Sequence, residues 1–286
     1  MLPITKSIPK EMLPVANKPL VQYAIEEAVA SGIEEIILVT RPADSHFEQY
    51  FAFDPQLEQF LAERNQAEEL KLVKALSSRV HIVTVHQLSP RGLGDAVLCA
   101  RTAVAGEPFA LILPDAIIDA DVAVTSQLIS KYKERPACYV ATQSVAPHET
   151  SRFGMLAFRR VEPEPMETAP ALVSSLFEKP QWNAAPSQFG VFGRYLLTPQ
   201  IFGYLDSSPE HGGIELDLTL ALNQMCHNEL LYAVLFEGRH FDAGSRLGYL
   251  QANLAFGLKD PKLALDLRRY LAEMTEQFTV ALSHEA

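Results

Sequence analysis

The sequence predicts an α/β fold, in which a mostly parallel sheet is flanked by helices and joined by a small antiparallel β insertion and a C-terminal helical tail. Three observations lead to this prediction. Short apolar runs alternate with helical stretches in the first half, strand-like runs follow one another closely at 153–197, and a charged amphipathic stretch lies near the end. With 48% apolar residues among 286, the chain can bury a substantial core. A core of this size suits one large α/β domain over residues 1–286 or two smaller domains.

The first half predicts four strands joined by crossover helices. The strands are apolar, rich in β-branched residues, and lie at 34–40, 79–85, 109–115 and 138–145. Before the first of them, residues 19–32 space their apolar side chains at helical period and end at Gly32, which suits the left-handed position after a helix. Strands that alternate with helices in this way are typical of a parallel sheet.

The second half predicts the insertion and the tail. Closely spaced runs at 154–160, 172–180 and 189–197 predict the antiparallel part, within about residues 146–200, and a proline-rich acidic connector at 161–170 separates the first two. A last strand at 230–238 precedes the C-terminal helices, expected over about residues 245–286. Within them, Asp260 and Pro261 suit the cap and the first position of a helix at 260–278.

Composition narrows the function classes. The formal charge of −11 and an isoelectric point near 5.2 disfavour a nucleic-acid or membrane partner, since both need a basic face. The cysteines Cys99, Cys138 and Cys226 lie far apart and form no C-x-x-C motif, which indicates neither a disulfide framework nor a zinc site. No apolar run reaches the length of a membrane span, and the first residues lack the apolar core of a signal peptide. We therefore expect a cytoplasmic protein.

Two motifs suggest a ligand site, although each also has an ordinary structural explanation. Residues 89–96, "SPRGLGDA", follow a predicted strand and contain two nearby glycines, which either let a ligand approach the backbone or make a tight turn. Asp115 ends the most apolar strand, where open α/β sheets place ligand-binding groups, but a helix cap or a turn would also use an aspartate there.

Two further strand ends carry charged residues. "FEKP" at 177–180 pairs an anion with a cation, and "FDAG" at 241–244 follows an apolar residue with an aspartate and then a glycine. A surface salt bridge and a turn are the ordinary explanations. Two strand-end aspartates together with two separate lysines nevertheless form a credible magnesium and phosphate site.

The order of the motifs resembles a known family. "MLPITKSIPKEMLPVANKPL", "GLGDAVLCAR", "LPDAIID", "FEKP", "GRYLL" and "FDAGSRLGYLQA" are similar to motifs of the bacterial UTP–glucose-1-phosphate uridylyltransferases, in the sugar nucleotidyltransferase superfamily. The resemblance covers essentially the whole chain. It implies a Rossmann-like fold, a single nucleotidyltransferase domain and a homo-oligomer, dimeric or tetrameric. It also implies a magnesium-assisted reaction of UTP with glucose 1-phosphate that yields UDP-glucose and pyrophosphate.

On the nucleotide side, the resemblance implies roles for five residues. Lys10 matches the lysine that contacts the nucleotide phosphates, Gln87 the residue that hydrogen-bonds the uracil, and Gly92 a backbone contact to the base. Asp115 and Asp242 match the two carboxylates that hold magnesium between the phosphates. Lys10 and Asp115 are therefore expected to be catalytic.

On the sugar side, the resemblance implies a site formed by Gly154, Glu178, Lys179 and Gly193. Glu178 would accept hydrogen bonds from the glucose hydroxyls, and Lys179 would pair with the 1-phosphate. Since Lys179 would offset the charge that develops during transfer, it is the third residue expected to be catalytic.

The resemblance also leaves alternatives open. In the family, a first strand and a G-x-G-T-R loop precede the stretch that begins here at Met1. The resemblance therefore implies that this phosphate-binding loop and its arginine are missing from the sequence, and it predicts that the chain is almost inactive. Asp95, Asp217 and Leu220 depart from the family pattern, and Asp95 adds an anion beside the presumed nucleotide. The alternatives are a catalytically weak regulatory paralogue and a transferase for another nucleotide or sugar phosphate.

Overall fold

The computed structural model describes residues 1–42, 44–78, 81–159, 169–207 and 215–284. The strands are β1 Pro14–Val15, β2 Lys18–Pro19, β3 Glu35–Thr40, β4 His81–His86, β5 Phe109–Ile112, β6 Ala116–Asp119, β7 Cys138–Ser144, β8 Gly154–Phe158, β9 Ala171–Glu178, β10 Phe189–Leu197, β11 Leu231–Leu235 and β12 Arg239–Asp242. The helices are α1 Leu20–Ala30, α2 His46–Phe51, α3 Pro55–Glu63, α4 Ala67–Ser78, α5 Leu93–Cys99, α6 Arg101–Val104, α7 Val124–Glu134, α8 Ile201–Ser207, α9 Leu218–Asn228, α10 Arg246–Gly257 and α11 Ala264–His284. Short 3₁₀ helices lie at Ile4–Lys6, Lys10–Met12, Pro147–Arg152 and Trp182–Ala184.

The described residues form two compact units. The larger unit consists of Ala24–Leu113 and Ile118–Arg239, and the smaller one of Met1–Tyr23, Pro114–Ile117 and His240–Ala286. The expectation of one domain, with an insertion at about 146–200, stays a prediction.

The larger unit contains a six-stranded sheet in the order β5-β10-β7-β11-β9-β8. Strands β7 and β11 are parallel, whereas β10 runs antiparallel to β5, β7 and β8, and β9 runs antiparallel to β11 and β8. Strands β3 and β4 form a separate parallel pair. The predicted α/β class is confirmed, but "mostly parallel" does not describe the six-stranded sheet. The physical reason is that β10 lies between β5 and β7, so these two strands are not neighbours.

Helices cover both faces of this sheet, which explains why the central strands are apolar throughout. Successive residues of β7 point to opposite faces: Cys138 and Val140 pack with α5, α8 and α9, whereas Tyr139 and Ala141 pack with α7. Two of the predicted ligand-binding residues lie at strand ends of this sheet, since β8 begins at Gly154 and β9 ends at Glu178, whereas Gly193 lies in the middle of β10.

The smaller unit is built around a compact apolar cluster of its own. The cluster joins the N-terminal segment, β12 and α10, and its buried members are Val15, Leu20, Ile117, Phe241, Ala243 and Ala252. Two hydrogen bonds fasten the N-terminal segment: Tyr23 Oη donates to Val15 O over 2.9 Å, and Ala16 N donates to Asn253 Oδ1 over 3.0 Å. The apolar cluster and the hydrogen bond from Ala16 to Asn253 thus hold the N-terminal segment against β12 and α10.

Local predictions met mixed outcomes. Helix α1 ends before Gly32, which has a φ of 82°, as predicted for a glycine after a helix. The tail is helical as predicted, but α11 begins at Ala264, because Asp260 and Pro261 lie in a turn in front of it. Residues 79–80 of a predicted strand and 161–168 of the predicted connector lie outside the described residues. None of the described helices is long and apolar enough to cross a membrane.

Candidate functional site

In the smaller unit, three of the predicted site residues lie together. Lys10 starts the 3₁₀ helix Lys10–Met12, Asp115 lies just before β6, and Asp242 ends β12. The Lys10 Nζ atom is 2.7 Å from Asp115 Oδ2 and 3.9 Å from Glu11 Oε1. A lysine and an aspartate 105 positions apart therefore meet at the end of a strand.

Gly244 shows that the carboxylates of Asp115 and Asp242 converge. A Cβ atom added to Gly244 would lie 3.1 Å from Asp242 Oδ1 and 3.3 Å from Asp115 Oδ2, so both oxygens border the same small space. The backbone reinforces this arrangement, since Gly244 N donates to Asp242 Oδ1 over 3.1 Å and Ala243 N donates to Asp115 O over 2.8 Å. A side chain at position 244 would fill the space between the two carboxylates.

The cluster has a strong local electrostatic field. Partial burial acts to lower the pKa of Lys10, but the carboxylates of Asp115, Glu11 and Asp242 outweigh it, so the pKa is raised. Lys10 is therefore fully protonated near neutral pH. The side chains remain accessible, since 48% of Lys10 and 28% of Asp115 is exposed. A ligand can thus reach the ammonium group and the carboxylates.

These residues fit a divalent cation that is shared with phosphates. Mg²⁺ is usually held by one or two carboxylates, with substrate phosphates and water completing its shell. Among the described residues there is no group of three or more His, Cys, Asp or Glu side chains that could hold a metal ion alone. Two converging carboxylates at Gly244 are what such a shared site requires.

In the larger unit, Gly154, Glu178 and Lys179 come together at one end of the β8 and β9 pair. Gly154 pairs directly with Glu178, and a Cβ at Gly154 would lie 3.6 Å from Glu178 Oε2. Lys179 Nζ is 3.1 Å from Glu178 Oε1. Lys179 also has a φ of 43°, an unusual value for a residue with a side chain. Such strained backbone conformations are often found at binding sites.

Three residues around Glu178 were missed from the sequence. Thr219 Oγ1 donates to Glu178 Oε2 over 2.8 Å, and Asp217 caps α9 by accepting from Thr219 N. Burial raises the pKa of Tyr195, and the negative charges of Glu178 and Asp217 add to the effect. No sequence signal reveals this cluster, because its members lie on β9, β10 and α9.

The structure does not bring Gly193 to the Glu178 cluster by any direct contact within the described residues. It lies at a bulge of β10 between Val191 and Tyr195 and has a φ of 65°. Its carbonyl oxygen accepts from Leu113 N over 2.9 Å and from Arg194 Nη1 over 3.1 Å. Arg194, 3% exposed, also forms a two-pronged ion pair with Glu27, with contacts of 2.8 to 3.0 Å. This pair was another feature that sequence reasoning missed.

Gln87 and Gly92, the two residues expected at the base, contact each other directly. Gln87 Nε2 donates to Gly92 O over 3.1 Å and to Asp95 Oδ2 over 2.8 Å. Gly92 has a φ of 93°, and a Cβ there would lie 2.7 Å from Leu216 O, so only glycine fits. The negative charge of Asp95 is paired with a cation, because Asp95 Oδ1 accepts from Arg91 Nη2 over 2.7 Å.

The fold, with a lysine and carboxylate cluster suited to phosphates at a strand end, is that of a nucleotidyl transferase, and residues 1–257 match the Nucleotidyl transferase family. The UTP–glucose-1-phosphate uridylyltransferase of Bacillus subtilis (strain 168) is 38% identical over 262 residues, which cover 92% of this chain and 88% of the relative. The chain belongs to the UTP–glucose-1-phosphate uridylyltransferase family, as the motifs indicated.

Solved structures agree with this assignment. A UDP-glucose pyrophosphorylase from Acinetobacter baumannii has a TM-score of 0.86 and 35% sequence identity, with coverage of 96% of this chain and 94% of that one. A UTP-bound UGPase from the same species has a TM-score of 0.85 and 34% identity, with coverage of 95% and 94%. The helical C-terminal region and the sheet are thus those of a known enzyme fold.

Proposed function

We propose that this protein forms UDP-glucose and pyrophosphate from UTP and glucose 1-phosphate. The observation that carries the proposal is the convergence of Lys10, Asp115 and Asp242 at one point, in a chain of this family. In the proposed reaction, a phosphate oxygen of glucose 1-phosphate attacks the α-phosphorus of UTP. An oxygen–phosphorus bond forms, the bond to the bridging oxygen of the leaving group breaks, and pyrophosphate departs with the electron pair.

Lys10 is the residue best suited to the charge that develops in this reaction. Its ammonium group is protonated, accessible and held 2.7 Å from Asp115 Oδ2. A compact ammonium donates in several directions, so it can turn from the carboxylate to a phosphate oxygen as negative charge builds up. We assign Lys10 the stabilisation of the transferring phosphoryl group.

Asp115 and Asp242 would hold magnesium. When bound, the ion would neutralise phosphate charge and bring the phosphates into line. The two carboxylates do their part without any large rearrangement, because Gly244 already keeps the space between them clear. The absence of a side chain at this position is therefore part of the proposed site.

Glu178, Lys179 and Gly154 would bind the sugar phosphate. Glu178 accepts a hydrogen bond from Thr219 and lies beside Lys179, so its oxygens are oriented before a sugar arrives. A carboxylate accepts hydrogen bonds from hydroxyls, and a lysine pairs with a phosphate. The part of Gly193 in this site stays a prediction.

Gln87 and Gly92 would recognise the base.

The alternative of a regulatory paralogue gains no support from Asp95, whose charge is matched by Arg91, or from Asp217, which caps a helix. Leu220 is a partly exposed residue of α9, and nothing in the structure explains its departure from the family pattern. We therefore retain the enzyme as the function and UTP as its nucleotide.

The test is direct. The purified protein is incubated with UTP, glucose 1-phosphate and Mg²⁺, and UDP-glucose is detected by mass spectrometry while pyrophosphate release is followed enzymatically. We expect both products in equal amounts, formed at a low rate, and none from Asp115→Ala. If the folded protein releases no pyrophosphate, the proposal is wrong. If it forms more product with another nucleotide than with UTP, that nucleotide replaces UTP as the proposed substrate.

Two further expectations belong to this proposal. A cytoplasmic location and a homo-oligomer of two or four copies both stay predictions. Exposed leucines on one face of α10, Leu247, Leu250 and Leu254, are consistent with self-association. Analytical ultracentrifugation would give the number of copies.

A further inference from the structure

The side-chain amide of Gln87 is held in one orientation. Its nitrogen donates both hydrogens, one to Gly92 O and the other to Asp95 Oδ2. A backbone carbonyl and a carboxylate can only accept here, so the amide nitrogen must be the atom that faces them. The amide oxygen Oε1 therefore points the other way, and among the described residues it receives no hydrogen bond.

Asp95 is a rigid support for this amide. It lies in the first turn of α5, is 3% exposed, and accepts from Arg91 over 2.7 Å through its second oxygen. The neighbouring backbone is fixed as well, because Gly94 N donates to Leu216 O over 3.0 Å. Each carboxylate oxygen thus has its own donor, and Asp95 cannot easily turn away from Gln87.

We infer that Asp95 is a positioning residue for base selection: it turns the amide oxygen of Gln87 toward the base and so favours a ring with an N3–H donor, as in uracil. The inference rests on the proposed function, in which Gln87 contacts the base. Cytosine carries an acceptor at N3, so in the same position it would set two acceptors against each other, which removes a hydrogen bond and leaves both groups unpaired.

The role of Asp95 follows from what Gln87 would do without it. The terminal torsion of a glutamine has two roughly equivalent orientations that exchange the oxygen and the nitrogen. With Asp95 absent, one of the two hydrogen bonds that select an orientation is lost. The amide could then turn more readily and present its nitrogen to cytosine N3, although the Gly92 carbonyl would still favour the original orientation.

The experiment compares equilibrium binding of UTP and of CTP, each with Mg²⁺, to the protein and to Asp95→Leu. The unmodified protein is expected to prefer UTP, and Asp95→Leu is expected to reduce the ratio of the two affinities by about tenfold. Asp95→Asn, which retains one oxygen that can accept from Gln87, is expected to recover part of the preference. Asp206→Leu is the matched control, because it breaks an Asp–Arg ion pair of 2.6 Å in the same unit without a contact to Gln87.

The outcomes separate this inference from the proposed function. If the unmodified protein prefers UTP and folded Asp95→Leu keeps the full preference, the inference is wrong and the proposed function stands. If the unmodified protein binds neither nucleotide, both the inference and the proposed function are wrong. If Asp95→Leu does not fold, NMR of the Gln87 side-chain amide in the unmodified protein, assigned with Gln87→Leu, decides. Amide hydrogens that keep their shifts when UTP is added support the inference, and large shifts overturn it.

Discussion

Two clusters in this molecule use the same chemistry, a cation between carboxylate oxygens, but differ in burial. Lys10 in the smaller unit contacts Asp115 at 2.7 Å with 48% of its side chain exposed. Arg194 in the larger unit contacts Glu27 at 2.8 Å with only 3% exposed. An exposed pair can exchange its partner for a ligand, whereas a buried pair must keep it, because an unpaired charge in the interior is costly.

Burial, more than residue type, distinguishes an ion pair that can bind a ligand from an ion pair that stabilises the fold. The Arg194 guanidinium also binds the carbonyl oxygens of Leu113 and Gly193, so all its donors serve the fold. The Lys10 ammonium has one short contact and lies beside a second carboxylate that Gly244 leaves uncovered. We therefore expect changes at Lys10 to affect activity and changes at Glu27 to affect stability.

The largest effect is expected for Lys10→Met. Loss of a donor aimed at developing negative charge should lower kcat by roughly 10² to 10³-fold, while the melting temperature stays within a degree or two. Pyrophosphate release and thermal unfolding measure the two quantities. Lys133→Met, on the exposed face of α7, is the control and should change neither. If Lys10→Met keeps its activity but unfolds at a lower temperature, Lys10 serves the fold and not the reaction.

Glu27→Gln should destabilise the protein by roughly 3 kcal/mol, because it leaves Arg194 buried without an anion. Burial acts to raise the pKa of Glu27, but Arg194 and the hydrogen bonds from Thr125 outweigh it, so the pKa lies below its ordinary 4.5. The stabilisation is thus complete above pH 4.5 and is lost as the pH falls through the lowered value.

Urea unfolding of both proteins between pH 7 and pH 3 tests this prediction. The difference in unfolding free energy between them should shrink on acidification. Glu134→Gln is the control, since it removes an exposed ion pair with Lys131 of 3.2 Å and should cost less than about 1 kcal/mol at any pH. If the difference in unfolding free energy grows as the pH falls, the pKa of Glu27 is not lowered by folding and the prediction is wrong.

Glu178→Gln should raise the KM for glucose 1-phosphate about tenfold, because an amide replaces one of the accepting oxygens, while the KM for UTP stays the same. Thr219→Val removes only the hydroxyl that donates to Glu178 over 2.8 Å, and it should raise the same KM by roughly threefold. Steady-state kinetics with each substrate varied gives both values. If the KM for UTP rises instead, the assignment of Glu178 to the sugar site is wrong.

Gly244→Ala should raise the Mg²⁺ concentration needed for half-maximal rate by roughly threefold. The added carbon would lie 3.1 Å from Asp242 Oδ1 and 3.3 Å from Asp115 Oδ2, which is tight enough to move the carboxylates. Gly203→Ala in α8 is the control, because nothing lies within 4 Å of its added carbon. If the Mg²⁺ dependence of Gly244→Ala is unchanged, the two carboxylates do not share an ion there.

The sequence predicted most elements of the fold, because their signals are local. Apolar runs of the right length indicated β3, β4, β5 and β7, and Gly32 indicated the end of α1. Strand direction could not be predicted in the same way. The position of β10 between β5 and β7 depends on tertiary packing, and no local pattern in the residues 189–197 reveals it.

The candidate site shows the same division. Asp115 and Asp242 were predicted because each lies at the end of a strand-like run, and the order of the motifs indicated a shared role. The supporting roles of Asp95, Thr219 and Arg194 could not be predicted. Thr219 and Arg194 contact residues that are far away in the sequence, and Asp95 acts by holding the Gln87 amide in one orientation. The link of Arg194 to Glu27 spans 167 positions. The charge of Asp95 looked unfavourable until the contact with Arg91 was seen.

The central claim is that Asp115 and Asp242 act as one unit beside Lys10, and a double-mutant cycle tests it most directly. The values of kcat/KM for UTP are measured for the protein, Asp115→Asn, Asp242→Asn and the double variant at saturating Mg²⁺. If the two carboxylates share one ion, each single change should cost about 10²-fold and the double change about the same. Losses that multiply to roughly 10⁴-fold, or a single variant that remains fully active, would contradict the claim.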